Sequence, residues 1–79
     1  MVRLKNLKMN DGIGECDIIP EDSENYGHIT VDLNSEQIKN YSLPAGYEWC
    51  VSHVYHAARK LVTLLKNGEM PKEYLLMWY

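Results

Sequence analysis

The chain has 79 residues, a net charge of −3 and a hydrophobic fraction of 46%, which excludes a disordered chain and a second domain. No apolar run approaches the roughly 20 residues of a membrane span, and the N-terminal Met-Val-Arg-Leu-Lys-Asn lacks the apolar stretch of a secretory signal, so a cytoplasmic protein is expected. Residues 1–8 hold three basic groups, residues 9–38 eight acids and no Lys or Arg, and residues 39–79 five basic and three acidic groups; the acidic middle opposes a general nucleic-acid role.

Val2, Leu4, Leu7 and Met9 alternate as in a strand, with one change of phase at Asn6 that a β-bulge would restore. Asn10-Asp11-Gly12 is a tight-turn signal, and Ile13 to Ile19 reads as the partner strand of a hairpin that Pro20 ends. After the polar loop Glu21–Asn25, Ile29, Val31 and Leu33 alternate with His28, Thr30 and Asp32, the pattern of a half-buried strand. Asn34-Ser35-Glu36 supplies a second turn, and Gln37 to Tyr41 a fourth strand with Ile38 pointing inward.

Residues 46–67 carry the one long helical periodicity. Cys50, Val54, Ala57, Ala58, Leu61 and Leu65 gather on one face, Val51, Val62 and Leu64 border it, and Glu48, Ser52, His56, Arg59, Thr63 and Lys66 lie opposite. Lys60 and Lys66 suit the negative end of the helix dipole, Gly68 suits a left-handed cap, and Pro71 prevents resumption. Glu73 to Tyr79 then reads as a fifth strand.

The order ββββαβ predicts a single α+β domain over residues 1–79, in which one helix packs on one face of a mostly antiparallel five-stranded sheet. With the fifth strand antiparallel to the first, the expected strand order is 5-1-2-3-4. The second face of the sheet is left open.

Three constellations could carry chemistry. Cys50-x-x-His53 has the spacing of a metal-ligand pair, and Cys16 and His28 could complete a zinc site, yet the second closely spaced pair typical of structural zinc is missing. Cys50 with His53 one turn later resembles a thiol and its base, but the apolar helix face holds Cys50, and a thiol buried there is a poor nucleophile. The acids from Asp11 to Glu24 lack the ligand spacing of a calcium loop. No phosphate-binding glycine loop, hydrolase serine motif or nucleotide fingerprint occurs. The expectation is therefore a non-enzymatic protein without a cofactor, and zinc binding through Cys16, His28, Cys50 and His53 is the alternative. A nucleic-acid role through Arg3, Lys5 and Lys8 ranks last, because these read as outward charges on a strand.

Tyr74, Leu75, Leu76, Met77, Trp78 and Tyr79 form an unbroken aromatic and apolar tail, which one helix cannot cover on both faces of a strand. Tyr, Trp and Met are favoured at interface cores. Tyr74, Leu76, Met77, Trp78, Tyr79 and Trp49 are thus the interface candidates. The functional expectation is an interaction or accessory module that acts through its open sheet face and aromatic tail, forms a homodimer and binds a further protein partner.

Overall fold

The computed structural model describes residues 2–20, 25–49 and 51–76. Its elements are β1 (Val2–Asn10), β2 (Ile13–Pro20), β3 (Gly27–Asp32), β4 (Gln37–Ser42), α1 (Val51–Lys66) and β5 (Glu73–Leu76). The strands form one sheet in the order β4-β3-β2-β1-β5, and all four pairings are antiparallel. One helix on one face makes this a two-layer α+β fold, with the strand order expected from the sequence.

Local chemistry sets each joint. Asp11 and Gly12 take φ of 50° and 79°, so both central residues of the β1–β2 turn are left-handed, as a two-residue hairpin that follows the strand twist requires. The phase change in β1 is a real bulge. Lys5 pairs with Asp17 and Lys8 with Glu15, so three steps along β1 answer two along β2. Asn6 takes φ of 56° there, and Leu7 returns to the buried face. A second irregularity separates the pairs Thr30–Asn40 and Val31–Ile38, which makes Lys39 the extra residue of β4.

The core lies between the sheet and α1. Val2, Leu4, Cys16, Ile18, Ile29 and Val31 of the sheet meet Val54, Ala57, Ala58, Leu61 and Leu65 of the helix, all buried. The expected faces hold, since Ser52, His56, Arg59, Thr63 and Lys66 are exposed. The helix end also matches its signals. The Gly68 N–H donates to the Leu65 carbonyl (3.1 Å) and the Glu69 N–H to that of Leu64 (2.8 Å), while Gly68 takes φ of 74°, a Schellman cap.

The helix start differs from the periodicity. The ordered helix begins at Val51 rather than near residue 46. Pro44 to Tyr47 instead close a β-turn, with the Tyr47 N–H on the Pro44 carbonyl at 3.0 Å and Gly46 at φ 88°. A left-handed third residue is what a type II turn demands and what a helix excludes. Cys50, expected on the apolar helix face, lies outside the described residues. Among the described residues, no helix is long and apolar enough to cross a membrane.

Candidate functional site

Strand alternation decides which of the expected interface residues are exposed. Tyr74 and Leu76 pair with Leu4 and Val2 of β1, both fully buried, so they share the helix-facing side and pack against the core. The Lys60 ammonium sits 5.3 Å from the centre of the Tyr74 ring, a cation–π contact that covers it further. Tyr74 and Leu76 are thus largely absorbed by the fold, while Glu73 and Leu75 emerge, Leu75 at 49% exposure. Met77, Trp78 and Tyr79 lie outside the described residues.

Trp49 does stand out, at 67% exposure. Its indole N–H donates to the Gly46 carbonyl at 3.0 Å, and its ring stacks on Tyr47 (6.2 Å between centroids) and meets His53 edge-on (6.0 Å). These contacts fix an exposed ring in one orientation.

The open sheet face carries a set of paired charges. His28 reaches Asp17 through Nδ1 (2.9 Å) and Glu15 through Nε2 (3.4 Å), Arg3 reaches Glu73 (3.6 Å), and the bulged Asn6 donates its amide to Asp17 (2.7 Å). Burial acts to raise the Asp17 pKa, but hydrogen bonds from Asn6 and His28 and the charges of His28 and Lys8 outweigh it and hold the carboxyl below its ordinary value. Among these charges the same face also carries Ile13, Ile19 and Leu75, the last 49% exposed.

Among the described residues the zinc constellation is not assembled. Cys16 pairs with Ile29 and faces α1, whereas His28 pairs with Asp17 one position away and faces the open side. Successive strand residues point to opposite faces, so the two cannot share an ion. Burial, reinforced by the nearby charges of Asp17 and Glu15, pushes the Cys16 thiol up to about 12, the opposite of what a thiolate ligand or nucleophile needs. Among the described residues no three His, Cys, Asp or Glu side chains form a metal-binding group. Cys50, the fourth residue of that set with His53, lies outside the described residues.

Sequence reasoning missed a groove. α1 lies mainly over β1, β2 and β3 and touches β4 less than these, so the inner side of β4 is incompletely covered. The result is an open groove of about 760 Å³. Ala58 and Val62 of α1 form its buried floor, Ile38 lines the strand wall, and Tyr41 (43% exposed) and Tyr55 (60% exposed) stand at one end. At the other end Lys66 pairs with Glu36 at 2.9 Å. Alongside it the outer edge of β4 pairs with no strand among the described residues, leaving part of its main-chain hydrogen-bonding capacity available. The signal in the sequence was Tyr55, an aromatic ring on an otherwise polar helix face. Comparison with protein-family models, with curated proteins and with solved structures finds no match for this chain.

Proposed function

We propose that the protein is a small non-enzymatic protein-binding module whose contact surface is the α1–β4 groove together with the free edge of β4. The observation that carries this reading is the coincidence of an apolar-floored groove, two exposed tyrosines and an unpaired strand edge in one place. A groove alone takes side chains, and an edge alone takes a backbone. Side by side they suit an extended segment that does both, the arrangement of strand addition. The reading places the interface here rather than at Tyr74 and Leu76, which pack against the core; Met77, Trp78 and Tyr79 lie outside the described residues. A reducing, cytoplasmic setting fits the free thiol of Cys16.

A second copy is the other occupant of the same edge. Antiparallel pairing of two β4 strands about Lys39 and Asn40 would set Ile38 of each against Tyr41 of the other, the basis for a homodimer. The test is a photo-crosslinking amino acid placed in turn at Tyr55, Tyr41 and Thr30 in the source cell. Adducts of discrete mass from Tyr55 and Tyr41, but not from Thr30 on the open face, are expected. Adducts from Thr30 alone would refute the groove as the interface, and an adduct of twice the chain mass would identify the partner as a second copy.

A further inference from the structure

We infer that the occupant of the α1–β4 groove is an acidic extended segment with the pattern apolar–x–acid–x–apolar, added as a strand on β4. This deepens the groove reading above and rests on it. Three observations converge on it.

The first is charge. α1 contains Arg59, Lys60 and Lys66 and no acid. Arg59 lines the groove, as does Lys39 of β4, and Glu36, the one acid in its walls among the described residues, is already engaged by Lys66 at 2.9 Å. Among the described residues no carboxylate pairs with Arg59. The described lining of the groove thus carries net positive charge within a protein of net charge −3, and a guanidinium on a partly apolar wall favours a carboxylate, which can accept two parallel hydrogen bonds.

The second is spacing. Tyr55, Arg59 and Thr63 form an i, i+4, i+8 row along the groove, one residue about every 6 Å of helix axis. A strand laid on β4 turns every second side chain toward the groove, about every 6.8 Å. Three successive inward side chains therefore face Tyr55, Arg59 and Thr63 in turn. The first meets the Tyr41 and Tyr55 rings, the second meets the Arg59 guanidinium, and the third enters over Val62 and Ile38.

The third observation sets a second copy aside. The β4 strand, Gln37-Ile38-Lys39-Asn40-Tyr41-Ser42, has one cation and no acid. Paired with itself about Lys39 and Asn40 it would set Lys39 opposite Asn40 and bring no carboxylate to Arg59. A strand with a central Asp or Glu supplies one.

The test uses a library of heptapeptides randomised at all positions, selected on the wild-type protein and on Arg59→Glu, whose fold is checked by its amide NMR spectrum. Wild type is expected to enrich Asp or Glu at the central position with apolar residues two places either side. Arg59→Glu should bind the wild-type winners at least tenfold more weakly and enrich Lys or Arg at the same place. The complementary swap in the peptide, central Glu to Lys, should lose binding to wild type and regain it with Arg59→Glu. Uncharged winners that still shift the β4 and Tyr55–Thr63 amides would overturn the acidic occupant and leave the groove reading intact. Winners that shift only open-face amides, or no enrichment beside displacement of the β4 signals by single-stranded DNA, would overturn both. Concentration-dependent shifts of β4 without peptide would assign the edge to a second copy and overturn the acidic segment.

Discussion

Gly27→Ala tests how β4, and with it the groove, is held in place. A Cβ at position 27 would fall 2.0 Å from the Ser42 carbonyl oxygen, 2.9 Å from its carbonyl carbon and 3.0 Å from Leu43 Cα. These are backbone atoms and cannot rotate away. A comfortable carbon–oxygen contact is about 3.3 Å, so the end of β4 would have to retreat by roughly 1.3 Å. Forcing a methyl into a closely packed site costs about 1–3 kcal/mol, and the lower chain entropy of unfolded Ala returns about 0.4–1 kcal/mol. The net loss of about 1–2 kcal/mol is a large share of a stability of order 4–12 kcal/mol for a chain this size. At about 4–8 °C per kcal/mol, Tm should fall by roughly 5–15 °C in a thermal melt followed by circular dichroism. Amide exchange should accelerate first in β4, because the steric conflict is between β3 and the β4 exit. Gly14→Ala is the comparison, since there the closest atom is the tip of the Leu65 side chain at 2.5 Å, which can turn aside at smaller cost. A Gly27→Ala protein with unchanged Tm and unchanged β4 exchange would refute the close approach of Ser42 to β3.

Other consequences are equally open to measurement. Leu61 is fully buried beneath α1, so Leu61→Ala should cost about 2–5 kcal/mol in urea denaturation, while His56→Ala, on the exposed face, should stay within about 0.5 kcal/mol of wild type. Asp17→Asn should destabilise by about 1–2 kcal/mol at pH 7, since it weakens hydrogen bonds to a charged acceptor. Because the folded Asp17 pKa is depressed, its contribution is complete above the ordinary carboxylate range and is lost as pH falls through the folded value, so the stability curves of wild type and variant should converge in acid. In a Cys50→Ser background, a Cys16 thiol at about 12 rather than 9.0 holds roughly a thousandfold less thiolate at pH 8, so alkylation should wait on unfolding and track the denaturation curve. Rapid native labelling would contradict the buried placement of Cys16.

The joints of the fold were legible because each is a local matter. Asn10-Asp11-Gly12 specifies its turn through two left-handed residues, the phase change at Asn6 marks the bulge in β1, and Gly68 specifies the helix end. The strand order followed from hairpin connectivity plus one long helix that had to cross the sheet. The helix start was misread because the apolar period runs on through Trp49 while Pro44 and Gly46 close a turn that the period does not register. The separation of Cys16 from His28 follows from strand parity, available in principle once both strands were paired in register. The groove was not available in the same way. It exists because α1 lies mainly over β1 to β3 and covers β4 less, a consequence of where one layer settles on the other rather than of any local pattern.

The most direct test of a groove that receives an extended segment along β4 is residue-resolved hydrogen exchange, with and without the acidic heptapeptide most enriched on wild type. Main-chain pairing to the free edge should slow exchange of the outward-pointing amides among Gln37–Ser42, with shifts confined to that strand and to the Tyr55–Thr63 row of α1. Protection that instead falls on β2 and β3 across the open face, or binding with no protection of β4 at all, would contradict strand addition at this edge.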